Sequence, residues 1–406
     1  MTACILCGAA EIEVFLDLGG TALANKFLTA DALTDAEPAF PLRVGLCYRC
    51  GHVQLADRVP PGAMFEDYLY MSSVSETLTA HLHGLARVVT ERQGLTTADL
   101  VVDIGANDGT LLDGFRRLGT RVLGVDPARN LAPLAATRGV EVVTAFFGEA
   151  TAQRILASHG PARAITMTNT FPHIPDLRDL LRGIDVLLAA DGIFVIEAHY
   201  CLDMFAQGAF DTIYHEHVSY WALGPMMTLF DRYGFEVRRV EHLPIHHGQL
   251  RVFVGRRSGG GVDGTVETVL AAERAAGIPG IAACRAFADA AHGLRNQVRR
   301  FLAEQAAVGH VVGAYGAPAK GNTLLTFFGL GPAEVCWIAD RSPLKQGRYT
   351  PGTHIPVVAP ERILADMPDY LLLLAWNFAD EILEQQNEYR KRGGRFVIPV
   401  PRVTIC

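Results

Sequence analysis

The chain has 406 residues, half of them hydrophobic and 19% charged, with a formal net charge of −7. That length is too great for one core and implies about two or three domains, and the apolar content excludes a disordered or fibrous chain. The acidic balance argues against nucleic acid as the main partner, so any phosphate on a substrate needs a local basic site.

The start, MTACILCGAA, lacks a charged segment followed by an apolar run, so no signal peptide is expected. Nor does any apolar run reach bilayer-spanning length, so no membrane contact is expected. Four of the eight cysteines fall as two C-x2-C pairs, Cys4/Cys7 and Cys47/Cys50, each followed by a glycine that tolerates a sharp reversal. Two such knuckles close a four-thiolate site, which favours structural zinc over iron or a redox pair because no position stays open for water. The insertion of about forty residues between the knuckles is longer than is usual for such ribbons. Residues 16–23 and 53–55 read as short strands beside this site. The remaining cysteines, Cys201, Cys284, Cys336 and Cys406, read as buried or idle thiols. This usage fits a reducing, cytoplasmic setting. Residues 64–75 form an aromatic, hydroxyl-rich join in which Tyr68 and Tyr70 share a face if extended.

Residues 75–94 read as a helix with Ser75 as cap and Gly94 as stop. A buried strand then runs from Asp99 through Asp103 into a turn with Gly105, Asn107 and Gly109, and on into a helix, as in the first unit of a Rossmann-like sheet. A dinucleotide site needs a glycine where Asn107 stands, so that pyrophosphate can approach the backbone. The replacement, with Asp103 at the strand end, favours S-adenosylmethionine (SAM) over a nicotinamide dinucleotide. The next strand ends at Asp126, about twenty residues on, where ribose hydroxyls are held in such sheets. Residues 141–147 read as strand three, 164–168 as strand four and 192–198 as strand five, with a helix over 177–188. Asn169 and His173 therefore stand on the ligand-binding rim, with Glu197 and His199 close by. The stretch Asp211-Thr212-Ile213-Tyr214-His215-Glu216-His217-Val218-Ser219-Tyr220 follows on the same rim. It offers a base, a group to orient it and donors for a developing oxyanion, although a polar loop with satisfied histidines has the same composition.

Residues 257–264 are glycine-rich and mark a boundary. Residues 266–307 read as helical with a pause at 277–280. A second sheet then begins, with a strand, small-residue turn and helix over residues 311–325, and residues 335–340, 370–376 and 396–399 read as further strands. Lys320, Asn322, Lys345 and Arg348 are candidate diphosphate contacts, and Trp376 a candidate stacking partner for a base, unless this half serves packing or dimerisation. The expected fold class is α/β: a Cys4 zinc module over residues 1–70, a Rossmann-like SAM domain over 71–258, and a second Rossmann-like domain, with the candidate phosphate contacts, over 259–406.

The knuckles, DIGANDGTLL (103–112), GVDPARN (124–130), NTFPHIPD (169–176), DTIYHEHVSY (211–220), YGAPAKGNTLL (315–325) and SPLKQGRYTPGTHIPV (342–357) resemble the nucleotide-sugar C-methyltransferases. These enzymes place methyl branches on the 4-keto deoxysugars of antibiotics. The resemblance spans essentially the whole chain. It implies SAM-dependent methylation, at C-3 of a TDP-type 4-keto-6-deoxysugar, with C-5 or another keto or heteroatom substrate as the alternative. It implies His217 as base, Glu216 and Tyr214 as orienting or stabilising groups, His173 assisting from across the rim, and Tyr68, with Tyr70 beside it, facing the sugar. A monomer or weak dimer is expected. The chain departs from the family where a His-Gly-Gly-Ser turn is usual: it has His246, His247, Gly248 and Gln249. The added bulk bears on which sugar is accepted. A scaffold with a degenerate Rossmann domain is the non-enzymatic alternative.

Overall fold

The computed structural model describes residues 3–66, 68–245, 248–257 and 261–406. Asp67 of the join, His246 and His247 of the departing turn, and Ser258, Gly259 and Gly260 of the boundary lie outside the described residues.

In chain order, β1 (Ile12–Thr21), β2 (Phe40–Cys47) and β3 (Val53–Leu55) follow the first knuckle and enclose the second. β2 was not expected, yet Leu42, Val44 and Leu46 alternate inward as a strand with one buried face requires. The central part contains β4 (Leu100–Ile104), β5 (Arg121–Val125), β6 (Val142–Val143), β7 (Ala162–Thr168) and β8 (Leu188–His199). β9 (Ser219–Tyr220), β10 (Phe235–Leu243) and β11 (Gln249–Arg256) follow. They form a seven-stranded sheet in the order β10-β11-β8-β7-β4-β5-β6, with β9 excluded. β4 to β8 run parallel, and β11 lies antiparallel to both β8 and β10. The order reverses beside β4, which opens a crevice past the carboxyl ends of β4, β5 and β7. Strand three is shorter than expected: β6 covers only Val142–Val143, at the edge of the sheet beside β5.

The helix Glu76–Gln93 covers one sheet face with Leu78, Leu82, Leu85 and Val89. It begins and ends where the sequence placed it. Ser75 Oγ accepts from the Leu78 amide at 3.2 Å, and Gly94 closes the end at φ 57°. Ser75→Ala is expected to cost about 1 kcal/mol, measured as a shift in denaturant midpoint at constant m.

The carboxyl-terminal half begins with two helices, Gly264–Ala276 and Ile281–Ala307, broken at Gly277 as expected. β12 (Val312–Tyr315), β13 (Ile338–Ala339), β14 (Val357–Val358), β15 (Tyr370–Leu373) and β16 (Arg395–Ile398) form a parallel sheet in the order β14-β13-β12-β15-β16. An antiparallel β17 (Thr404–Ile405) closes it, so the chain has two Rossmann-like sheets. No helix among the described residues is long and apolar enough to cross a membrane.

The amino-terminal sheet joins the halves. β9 leaves the central region to pair with β3, with Val53 opposite Tyr220 and Gln54 opposite Ser219. Leu16, Leu42, Val44 and Leu55 share one core with Leu324, Phe328 and Leu371 of the carboxyl-terminal half. Each such fully buried side chain contributes about 1.5–3 kcal/mol. The knuckle residues Cys4, Leu6 and Cys47 instead belong to the core beneath the central sheet.

Candidate functional site

Each cysteine knuckle closes with a glycine amide donating to the first cysteine's carbonyl, Gly8 to Cys4 and Gly51 to Cys47, both at 2.8 Å. All four Sγ atoms lie within 4.8 Å of one another, with Cys4–Cys50 at 3.6 Å and Cys7–Cys47 at 3.5 Å. A tetrahedron with bonds of about 2.3 Å has an edge near 3.8 Å, so the thiolates fit zinc.

At the crevice, the turn after β4 spends its amides on the protein itself. Gly105 and Ala106 donate to Val125 O, Asn107 to Asp126 Oδ2 at 2.8 Å, and Gly109 to Ala106 O. That leaves those four amides no role on a pyrophosphate and suits a cofactor without phosphates. Gly105 is at φ 79°, and a Cβ there would meet Thr170 Oγ1 at 2.0 Å, so only glycine fits. Asp103 accepts from Thr166 Oγ1 at 2.7 Å, and burial pushes its carboxyl up to about 7. Asp126 is also raised by burial. Two sequence candidates have other duties. Gly109, at φ 78°, gives Ala135 room to approach. The Asn107 side chain accepts from the Ser72 amide and donates to Tyr70 O, fastening the join across the crevice. Asn130 makes a second clasp with the Tyr68 backbone, at 3.0 and 2.8 Å. Asn169 stands at the end of β7 at φ 56° and accepts from Gln249 Nε2 at 2.6 Å.

The stretch 211–220 is held from every side. Ile213 O accepts from Thr323 Oγ1 of the carboxyl-terminal half at 3.0 Å, and Val218 O from the Leu55 amide at 3.0 Å. Trp376 Nε1 donates to Asp211 at 2.6 Å. Just beyond, Glu273 accepts from the amides of Leu223 and Gly224, capping the helix Leu223–Arg232.

Within this frame His217 Nδ1 lies 2.7 Å from Thr212 O, which can only accept. The proton is therefore on Nδ1, and Nε2 keeps a lone pair that accepts from Tyr214 Oη at 2.9 Å. Burial, aided by the charge of Lys320, lowers His217 to about 4, so the ring is neutral at ordinary pH. Its ring stacks on His173 at 5.1 Å and meets His199 at 4.9 Å. His173 in turn stacks on Phe65, and its buried Nε2 has no partner among the described residues. His215 points away, to Pro41 O.

Glu216 lies between two donors, Tyr68 Oη and Asn25 Nδ2, each at 2.7 Å. Burial outweighs them and raises its carboxyl to about 7. The folded state therefore binds a proton that the unfolded chain, at 4.5, has released. The associated stability is complete below 4.5 and is lost as pH rises through about 7. Across that window the wild type is expected to lose about 3 kcal/mol relative to Glu216→Gln, read from urea unfolding on either side of it.

Of the carboxyl-terminal candidates, Lys320 sits 4.9 Å over the Trp376 ring and within electrostatic reach of Asp211. Lys345 donates to Ala317 O at 2.8 Å, with the charge of Glu216 nearby. Asn322 donates to Ala24 O at 2.6 Å, while its buried Oδ1 has no partner among the described residues. Arg348 lies farther out, reaching Phe27 O at 3.5 Å. Trp376 is buried beneath Lys320 with its N–H committed to Asp211, which suits a wall better than a stacking platform. Tyr70 is 43% exposed and meets Tyr68 edge-on.

Asn25 and Thr323 were missed because each meets the site from a distant part of the chain with no local motif. Gln249 was noted only as a departure; it is fully buried and borders Asn169.

Three family models match the chain: a zinc binding domain over residues 4–65, a methyltransferase domain over 79–240 and a C-methyltransferase C-terminal domain over 244–401. The C-methyltransferase NovU of Streptomyces niveus is 40% identical over 399 residues, spanning 98% of this chain and 95% of that protein. A ubiquinone biosynthesis O-methyltransferase of Ralstonia nicotianae is 27% identical over 128 residues, 27% of this chain and 54% of its own. Among solved structures, the YcgJ protein of Bacillus subtilis is 17% identical with a TM-score of 0.36, covering 44% of this chain and all of that one.

Proposed function

Because the chain belongs to the SAM-dependent C-methyltransferase family, we propose that it methylates C-3 of a nucleoside-diphosphate 4-keto-6-deoxysugar, with His217 as the base. The observation that carries this reading is the dyad of His217 and Tyr214, a neutral imidazole with its lone pair held 2.9 Å from a phenol. A ketone and the C–H beside it are spaced to engage both groups. When the ketone oxygen enters, Tyr214 turns its O–H from Nε2 to that oxygen. The lone pair so released on Nε2 takes the carbon-bound proton, and the electron pair moves into the enolate. The depressed basicity of the buried ring is offset as the enolate charge grows beside the new imidazolium. Bound SAM supplies a sulfonium methyl that the enolate carbon accepts, leaving a neutral thioether.

Gly105, Asp126, Asp103 and Asn169 border the crevice in which the cofactor is held, and the clasped join with Tyr68 closes it. Glu216 fixes Tyr68 against the substrate, and His173 backs the His217 ring. On this reading the carboxyl-terminal domain holds the nucleotide diphosphate. Lys320 and Lys345 support that role, since desolvation lowers the pKa of both ammonium groups and each feels a carboxylate of the catalytic stretch, Asp211 for Lys320 and Glu216 for Lys345. The enzyme acts as a monomer or weak dimer in the cytoplasm, in keeping with eight cysteines free of disulfides.

The test uses SAM carrying a labelled methyl and a panel of 4-keto sugar nucleotides. Carbon NMR of the product is expected to place the label on C-3. A label on oxygen, nitrogen or C-5 would overturn the assignment.

A further inference from the structure

His52 stands two residues past the last knuckle cysteine, fully buried. Its Nε2 is hydrogen-bonded to Ser219 Oγ at 3.1 Å, and Ser219 is two residues past His217. Its ring also lies 4.5 Å from Trp221, which lies 4.7 Å from Phe171, two residues before His173. One imidazole thus meets the segment that carries His217 directly, and reaches the segment that carries His173 through the Trp221 ring. The knuckle grips it from behind, because the Cys47 amide donates to His52 O at 2.9 Å. The first knuckle is tied to the same strand, the Ile5 amide donating to Gln54 Oε1 at 2.9 Å.

We propose that His52 is a positioning residue for the methyl transfer: through Ser219 and Trp221 it sets the approach of His173 and His217, and the four-cysteine cluster acts on catalysis by holding it there. This rests on the reading of His217 as base. The choice of imidazole supports it. His52 Nδ1 is buried without a partner among the described residues, a cost that an apolar ring would avoid. Packing alone would therefore be served as well by phenylalanine, whereas the bond to Ser219 would not.

That contrast supplies the test, made on the full zinc-loaded chain with His52→Phe and Ser219→Ala. Both variants are expected to keep their zinc and a SAM affinity within about twofold of wild type, His52→Phe with an unchanged thermal midpoint and Ser219→Ala, which strands His52 Nε2, with a slightly lowered one. Their kcat is expected to fall about 10- to 100-fold with a smaller change in KM, as a displacement of about 1 Å in a reacting group would give. Amide exchange in the peptide covering residues 212–221 is expected to rise in both, and to rise in the same peptide when zinc is chelated from the wild type. Unchanged kcat and exchange in the two variants would overturn the proposal. So would a kcat loss that tracks loss of zinc or of SAM affinity, since that marks a general structural role. If His52→Phe does not fold, Ser219→Ala decides alone. His217→Ala separates the two readings: an active variant removes the base assignment, while a dead one beside a normal His52→Phe removes only this inference.

Discussion

His217→Ala is expected to lower kcat by about 10²- to 10⁴-fold while SAM still binds, because it removes a general base and leaves the crevice beyond β4 and β5 untouched. The ring is held by Thr212 O on one nitrogen and meets Tyr214 Oη with the other. Neither His215, which faces Pro41, nor His173, which stacks behind His217, stands in its place. Tyr214→Phe keeps the base but loses the donor for the oxyanion, so a smaller fall, about 10- to 100-fold, is expected. Steady-state rates with calorimetric titration of SAM check both. A His217→Ala enzyme turning over normally would remove this residue from the chemistry.

Cys47→Ser, or chelation of the metal, is expected to have the largest effect on stability. Cys47 ends β2, and its amide fixes the turn that returns the chain to β3. Structural zinc contributes apparent binding free energies of about 10–16 kcal/mol in small finger peptides. Here the module is also held by apolar packing against two cores. Loss of one thiolate is therefore expected to cost on the order of 5 kcal/mol, not the whole of the metal's contribution. Metal analysis, a melting curve and limited proteolysis between the knuckles would show it. Full zinc retention with an unaltered melting curve would count against a four-sulfur site.

The parts of the molecule legible in the sequence are those coded locally. Ser75 and Gly94 bracket a helix because one caps with a hydroxyl and the other takes a left-handed turn, and neither needs a tertiary partner. The knuckles were equally plain, since ligand spacing is a local property. β2 carried a period of two that the long insertion obscured. The site was only half visible. Tyr214, Glu216 and His217 share a motif, but Asn25 reaches Glu216 across 191 positions and Thr323 reaches Ile213 across 110. Such contacts exist only once three sheets have packed together. The cations of the second half were recognisable as residue types, yet their partners, Ala317 O for Lys345 and the Trp376 ring for Lys320, follow from the packing alone.

The most direct trial of the account follows the carbon-bound hydrogen itself. With S-adenosylhomocysteine in place of the methyl donor, the sugar nucleotide in heavy water should take up deuterium beside its ketone in the presence of wild-type enzyme, and stay unlabelled with His217→Ala. Deuterium uptake at the wild-type rate in His217→Ala, as followed by proton NMR, would contradict it.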